Sequence, residues 1–282
     1  MHLATIGDGD RTRAVLVEGG ATRLLPWPDV GAVLAEQAAG RAPRDLASAA
    51  TGAGPRAADA RYAPLVTAPS KIVCVGLNYR DHIREMGRET PAHPTLFGKF
   101  ADTLLGAHDD LVLPAASRRV DWEAELAVVV GRPVRVASAA AAEAAIAGFT
   151  VANDVSMRDW QHRTGQWLQG KAFEHTTPLG PVLVTPDEVD GAADLEITCA
   201  VDGEVVQRSR TSELLFGPAE LVAYVSRITT LRPGDVLLTG TPGGVGAGRV
   251  PERYLEPGQV LTTTIESIGG CRNTCIEETS RA

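Results

Sequence analysis

Cysteine is scarce in this sequence, with four residues in 282: Cys74, Cys199, Cys271 and Cys275. So few thiols in a chain long enough to bury a full core indicate reduced cysteines in a reducing compartment, not a disulfide framework. Cys271 and Cys275 form a single pair with three residues between them, and no second pair completes a zinc site. We therefore expect incidental buried thiols.

Long apolar runs and an excess of basic residues are also missing. No apolar segment approaches the ~20 residues that cross a bilayer, and residues 1–13 carry Asp8 and Asp10 without the apolar core of a signal peptide. We therefore expect a cytoplasmic protein with no membrane partner. The net charge of −8 argues against a nucleic-acid partner, because phosphate binding needs a basic face. An anionic substrate is still compatible, since a bound metal or one local Lys or Arg reverses the sign of a pocket.

Turn signals and composition divide the chain into two predicted parts. Residues 1–65 are predicted to form a small N-terminal α/β domain, with short strands up to Leu25, a helix over 30–39 and a linker rich in Ala, Arg, Gly and Pro. Residues 66–282 are predicted to form the main, catalytic domain. Many strands with few helices predict a β-rich α+β fold, not a doubly wound nucleotide-binding fold.

The predicted elements of the main domain follow apolar alternation and turn residues. Helices are predicted over 138–147 and 218–228. Strands are predicted at 71–76, 111–113, 123–130, 150–153, 182–184, 196–201, 236–239 and 262–268.

Two glutamates open the most informative of these strands. Side chains alternate along a strand, so Glu123 and Glu125 point to one side and Trp122 to the other. The strand continues as an apolar run typical of a strand buried on both faces. Neighbouring carboxylates repel each other unless a cation lies between them. A solvated strand end with two exposed glutamates is the alternative interpretation.

A third carboxylate, Asp154, ends the apolar segment that begins at Gly148. Three carboxylates with open positions for water and substrate suit a hard cation such as Mg²⁺ or Mn²⁺. Zinc would bring His or Cys ligands, and no such cluster is near. Sequence spacing does not establish that Asp154 meets the two glutamates.

Several motifs together resemble the fumarylacetoacetate hydrolase superfamily over nearly the whole chain. They occur in the family's order and at similar spacing: GLNYRDH at 76–82, PTLFGK at 94–99, DWEAEL at 121–126, NDVSMRD at 153–159, QWLQGKAF at 166–173, TGTPGGVG at 239–246, LEPG at 255–258 and GGCRN at 269–273. The resemblance implies a coiled, mixed β-sheet roll, usually in a homodimer. It also implies that Glu123, Glu125 and Asp154 hold Mg²⁺ or Mn²⁺, and that the substrate is a small 2-oxo acid.

Three further side chains are catalytic candidates on this resemblance. His82 and Glu85 lie three residues apart, so on a helix they share one side, and Glu85 can orient and charge-stabilise the imidazole. The resemblance is to members in which such a pair on a mobile lid, here over 80–88, activates water. An incidental pair on a surface helix is the alternative. Lys171 follows Gly170 and is the candidate cation for substrate oxygens, whereas a lone lysine is otherwise usually solvated.

Substrate binding is assigned to a glycine-rich turn and one glutamine. Thr241 follows Gly240, and backbone N–H groups with the Thr241 hydroxyl are predicted to receive a substrate carboxylate. The turn lacks the Gly-Lys-Ser/Thr end of a phosphate loop. An ordinary tight turn is the alternative. Gln161 is a weaker candidate for a polar contact.

The first function expected is hydrolysis of a C–C bond in an acylpyruvate-type 2-oxo acid. Two alternatives share the metal chemistry: isomerisation of a hydroxymuconate-like or 2-hydroxyhepta-2,4-diene-1,7-dioate-like diacid, and decarboxylation of an oxaloacetate-like acid. A non-catalytic binding or scaffold protein is the alternative from another class, and a complete acidic triad together with Lys171 argues against it.

Overall fold

A computed structural model describes residues 1–85, 87 and 89–279, so Met86 and Arg88 of the predicted lid lie outside the described residues. Its helices are α1 Val30–Ala38, α2 Arg80–Glu85, α3 Ala139–Glu143, α4 Arg158–Gln161, α5 Leu168–Lys171 and α6 Pro218–Ile228. Its strands are β1 His2–Asp8, β2 Arg11–Glu18, β3 Ala21–Leu24, β4 Gly52–Arg56, β5 Ile72–Gly76, β6 Thr95–Lys99, β7 Leu104–Leu105, β8 Leu111–Leu113, β9 Val120–Asp121, β10 Ala124–Val130, β11 Ile146–Asn153, β12 Ser156–Met157, β13 Thr177–Val184, β14 Glu196–Val201, β15 Glu204–Arg210, β16 Val236–Leu238, β17 Val260–Ile265 and β18 Gly269–Glu277.

The largest sheet is mixed and runs in the order β4-β3-β2-β1-β13-β11-β10-β16-β5-β6. Most neighbours are antiparallel, whereas β16 and β5 are parallel. A second sheet has the order β15-β14-β17-β18-β8. Strands thus outweigh short helices, and the predicted β-rich α+β class is confirmed.

Strand β10 lies inside the largest sheet and is buried on both faces. Leu126 and Val128 belong to the core that the second sheet and α6 share. Ala127 and Val129 belong to the core that α1 covers. Because alternate side chains enter different cores, the uninterrupted apolar run of β10 is required by its position.

The N-terminal strands extend the largest sheet. β1 pairs antiparallel with β13, with Leu3 opposite Leu183, and β2, β3 and β4 follow outward. The segment predicted to be a linker includes β4. The domain boundary proposed at residue 65 stays a prediction.

Several predicted elements differ in their bounds, and β11 and β13 begin earlier than the strands expected at 150–153 and 182–184. The helix expected over 138–147 ends at Glu143, because β-branched Ile146 already pairs with Val130 and begins β11. The strand expected over 262–268 ends at Ile265. Ser267 there has a positive φ of 62°, which turns the chain into β18. Over the described residues, none of the helices has the length and apolar character of a membrane span.

Candidate functional site

The candidate site lies where four strand ends of the largest sheet meet. β10 runs antiparallel to β11 and β16, so its start lies beside their ends. β5 is parallel to β16 and ends on the same side. Asn153 pairs with Ala124, and the next residue, Asp154, donates its backbone N–H to the Glu123 carbonyl at 2.8 Å. The strand register therefore places Asp154 beside the two glutamates.

Three buried carboxylates converge at these strand ends. Glu123, Glu125 and Asp154 each offer an oxygen, and these oxygens lie within 4.8 Å of one another. Glu123 directly precedes β10 and Glu125 is its second residue, so extended backbone places both side chains on one side. The alternative of an exposed strand end does not apply, because all three are buried. Their role as metal ligands stays a prediction.

Three cations surround two of these carboxylates. Lys171 Nζ lies 2.6 Å from Glu123 Oε2 and 2.8 Å from Asp154 Oδ2. Arg158 Nη2 lies 2.7 Å from Glu123 Oε1, and Lys99 Nζ donates to Asp154 Oδ1 at 2.5 Å. Burial alone would raise the pKa of Asp154, but the charges of Lys171 and Lys99 outweigh it and lower that pKa.

Glu125 has a different environment. Its Oε2 accepts the backbone N–H of Gly240 at 2.6 Å, and no ion pair joins it to a cation within the described part of the chain. Burial raises the pKa of Glu125 well above its usual range, and the charges of Asp154 and Glu123 raise it further. The charge of Lys171 and the Gly240 N–H oppose this rise without cancelling it. Glu125 is therefore the member of the triad that resists ionisation in the metal-free protein.

The donor set fits a divalent metal ion. Carboxylate oxygens are the ligands that hard cations such as Mg²⁺ and Mn²⁺ prefer. A divalent ion would also supply the charge that Glu125 lacks. The buried triad therefore matches a hard cation both in donor chemistry and in charge.

The predicted pair of His82 and Glu85 lies on α2, directly after β5. His82 is buried and faces the cavity, and its Nδ1 lies 3.1 Å from Glu85 Oε2. The backbone N–H of Gly244 donates to both Glu85 oxygens, at 3.0 and 3.2 Å. Burial alone would raise the pKa of Glu85, but the bonds from His82 and Gly244 outweigh it and lower that pKa. Glu85 thus ties α2 to the glycine-rich turn.

The glycine-rich turn follows β16 and contacts the acidic triad through Gly240. Gly240 has a φ of 102°, and an added Cβ would lie 2.9 Å from the Cβ of Asn78. Glycine is therefore required there. Its N–H, predicted to receive substrate, donates to Glu125 in this structure. Thr241 is buried, faces the cavity, and accepts a hydrogen bond from Gln207 Nε2 at 2.8 Å.

Gln161 and Lys171 come from two short helices in close contact, α4 and α5. Gln161 Oε1 accepts a hydrogen bond from Arg158 Nη1 at 2.8 Å, and its side chain lines the cavity. Lys171 is 2% exposed, so the ordinary solvated lysine is excluded. The backbones approach closely at Gly170, where an added Cβ would lie 2.5 Å from the Gln161 backbone nitrogen.

Replacing Gly170 by alanine is expected to force α4 and α5 apart. Alanine usually favours a helix by about 1 kcal/mol over glycine, but here overpacking should cost about 1–3 kcal/mol and displace Gln161 and Lys171. Urea denaturation measures the change. Gly165→Ala is the matched control, because no atom lies within 4 Å of its added Cβ. Equal stability of the two variants would contradict the close contact.

The described site encloses a cavity of about 240 Å³. Carboxylates and cations form one part of its lining, and apolar side chains, among them Phe97, Trp167 and Val245, form another. Pockets for drug-sized ligands have roughly 300–1,000 Å³. The cavity therefore suits a small polar molecule with a short apolar part.

Four functional candidates were missed at the level of sequence. Arg158 lies four residues after Asp154 and bonds both Asp121, at 2.8 Å, and the triad. Arg158, Asp121 and Lys99 lie within the family-like motifs at 153–159, 121–126 and 94–99. The sequence therefore marked their positions, but no role was assigned to them. Gln207 lies in no motif and comes from the second sheet, so only the folded structure places it at the site.

The chain is similar to known proteins over most of its length. The family model described as fumarylacetoacetate (FAA) hydrolase C-terminal matches residues 71–276. The chain is 48% identical over 205 residues to the oxaloacetate tautomerase Fahd2a, mitochondrial, of Rattus norvegicus. That match covers 72% of this chain and 66% of the rat protein, just under two thirds of its length.

Two solved structures are similar to this one, the first over nearly the whole chain and the second over about three quarters of it. Fumarylacetoacetate hydrolase from Exiguobacterium antarcticum has a TM-score of 0.85 at 32% identity, over 99% of this chain and 100% of that one. Fumarylpyruvate hydrolase from Pseudomonas aeruginosa, solved with Mn²⁺ and pyruvate, has a TM-score of 0.68 at 33% identity, over 74% and 90%. Sequence motifs, family model and fold agree, and this chain belongs to the fumarylacetoacetate hydrolase superfamily of enzymes.

Proposed function

We propose that this protein is a divalent-metal-dependent tautomerase that interconverts the enol and keto forms of an oxaloacetate-like 2-oxo acid. The observation that carries the proposal is the small cavity that His82 and Lys171 line together with Glu123 and Glu125, two members of the buried acidic triad. Similarity to the rat oxaloacetate tautomerase supports the choice of substrate.

A metal would be held by Glu123, Glu125 and Asp154, and when bound it supplies a Lewis acid for the oxygens of a 2-oxo acid. We propose Mg²⁺ or Mn²⁺, and the name of the Pseudomonas structure supports Mn²⁺. Burial alone would lower the pKa of Lys171, but Asp154 and Glu123 outweigh it and raise that pKa. Lys171 therefore stays protonated and binds substrate oxygens as a cation.

Tautomerisation removes a proton from the enol oxygen and adds one to the neighbouring carbon. His82 is the proton carrier in this proposal, because its Nδ1 is directed to Glu85, which leaves Nε2 for substrate. Glu85 orients the ring for this proton transfer. Arg158, held by Asp121 and Gln161, carries positive charge along the wall.

Hydrolysis of an acylpyruvate-type substrate, the activity first expected from sequence, is the second candidate function. The His82–Glu85 pair favours it, since such a pair can also deprotonate water. The similarity to fumarylpyruvate hydrolase supports it as well. Hydrolysis differs from tautomerisation in needing room for an attacking water beside the substrate.

The test measures how fast the enol absorbance of oxaloacetate decreases in the presence of the protein and Mn²⁺. Mn²⁺ without protein is the control. A small acylpyruvate panel is assayed in parallel for pyruvate release. We expect accelerated loss of enol without pyruvate. Pyruvate from acylpyruvates without faster tautomerisation would transfer the assignment to the hydrolase. Pyruvate from oxaloacetate itself would identify a decarboxylase.

Replacing Glu85 by glutamine is expected to lower kcat by about tenfold, at the low end of what oriented acid–base groups contribute. The variant also has a distinct pH signature. Because the folded-state pKa of Glu85 is lowered, its ionised form stabilises the protein above the unfolded value of about 4.3. That contribution is lost as the pH falls through the lower, folded-state pKa.

Denaturation of the wild type and Glu85→Gln from pH 3 to 7 measures this difference. The difference in unfolding free energy between the wild type and Glu85→Gln should stay constant above about pH 5 and become smaller below about pH 4. Glu188→Gln is the control, since Glu188 pairs with the N-terminus far from the site. A gap that widens on acidification would refute the assigned role of the carboxylate.

The cellular setting is part of the proposal. We propose a cytoplasmic homodimer without nucleic-acid or membrane partners, with a small 2-oxo acid as its ligand. The net charge of −8 supports the absence of nucleic acid. Light scattering of the purified protein tests the dimer.

A further inference from the structure

Gln207 reaches the site from the second sheet, where it lies on β15. It is 2% exposed. Its Oε1 accepts the backbone N–H of Ala124 at 3.0 Å, and its Nε2 donates to Thr241 Oγ1 at 2.8 Å and to the Pro242 carbonyl at 2.9 Å. One side chain therefore joins the strand of the acidic triad to the glycine-rich turn.

The two backbone partners decide which way the amide of Gln207 points. The N–H of Ala124 can only donate, and the carbonyl of Pro242 can only accept. With Oε1 toward Ala124 and Nε2 toward Pro242, both are paired. The opposite orientation would leave two buried backbone groups without partners, which costs about 1–3 kcal/mol for each group.

This orientation leaves the hydroxyl hydrogen of Thr241 available. Because Nε2 of Gln207 is a donor, the Thr241 oxygen accepts, and its single hydroxyl hydrogen is left for another acceptor. Hydrogen bonds among the described residues use this hydroxyl only as an acceptor. Thr241 lines the cavity, so a ligand oxygen placed there can accept this O–H.

We propose that Gln207 is a positioning residue that presents the Thr241 hydroxyl as a hydrogen-bond donor to a carboxylate or carbonyl oxygen of the substrate. The inference rests on the proposed function in assuming a 2-oxo acid. A ligand group that can only donate, such as an amide N–H, would leave the Thr241 hydrogen without an acceptor. Ala124 stands between Glu123 and Glu125, so Gln207 also sets the distance between this donor and the acidic triad.

The experiment measures oxalate binding to the Mn²⁺-loaded protein by calorimetry, because oxalate presents two carboxylates and does not react. The variants are Gln207→Met, Thr241→Val and the two combined. Thr241→Ser, which keeps the hydroxyl, is the matched control. Thr241→Val should weaken oxalate binding about tenfold, as for a lost bond to a charged group. Thr241→Ser should bind like the wild type.

The combined variant separates positioning from a structural role. If Gln207 acts through the Thr241 hydroxyl, Gln207→Met weakens binding severalfold alone but adds nothing in the Thr241→Val background. If Gln207 merely holds the fold, its effect is the same in both backgrounds, and the inference is overturned. Absence of oxalate binding by the wild type, or full binding by Thr241→Val, also overturns it.

A second substitution of Gln207 keeps the inference testable if Gln207→Met does not fold. Gln207→Glu keeps an acceptor for Ala124 and removes the donor, so its carboxylate turns the Thr241 O–H away from the cavity. Its effect should be larger in the wild-type background than with Thr241→Val, and equal effects would sink the inference. Oxalate is not turned over, so its binding does not depend on tautomerase activity. If the variants show the expected pattern of oxalate affinities but the protein lacks tautomerase activity, only the proposed function is refuted.

Discussion

Replacing Glu125 by glutamine is expected to remove divalent-metal binding and to lower the rate by about a thousandfold. A bound metal contributes several kcal/mol to such reactions, and each 1.36 kcal/mol is worth about tenfold. The variant should fold as well as the wild type without metal. Burial raises the pKa of Glu125, so a neutral amide replaces a group that resists ionisation in the metal-free protein.

Mn²⁺ titration calorimetry and metal-free urea denaturation measure these two effects separately. Glu123→Gln is the comparison variant. It also removes a predicted metal ligand, but in addition it removes the negative charge that pairs with Lys171 and Arg158. It should lose metal binding and also stability. Unchanged Mn²⁺ affinity in Glu125→Gln would refute the assignment of the triad.

Replacing Lys171 by methionine is expected to destabilise the metal-free protein by about 3–5 kcal/mol, as for a buried ion pair that loses one partner. The ammonium group lies within 2.8 Å of both Glu123 and Asp154, so its removal takes away the cation that both buried carboxylates share. Mn²⁺ should restore part of the loss by supplying the missing charge. Thermal denaturation with and without Mn²⁺ measures both effects.

Lys99→Met is the matched control for this variant. Lys99 is also buried and pairs with Asp154, but it is not among the residues that line the cavity. Both variants should lose stability, whereas only Lys171→Met should also lose substrate affinity. Equal loss of affinity would refute the placement of Lys171 against the substrate.

Local patterns predicted the parts of the site that lie close together in sequence. The two-residue period of a strand places Glu123 and Glu125 on one side, and both are buried in one cluster. The three-residue spacing of His82 and Glu85 predicted a contact on a helix, and the two side chains meet at 3.1 Å. Such predictions succeed because neighbours in sequence have few geometries to choose from.

The sequence by itself determined the β-rich class, the acidic pair and, through the order of its motifs, the family. Only the tertiary structure decided that Asp154 meets Glu123, because that contact depends on the register of β11 against β10. It also decided that Lys171 is buried as a counter-ion and that Gln207 reaches Thr241 from another sheet. The physical reason is that strand pairing and sheet packing join residues far apart in the chain, whereas local periodicity orients only residues within one element.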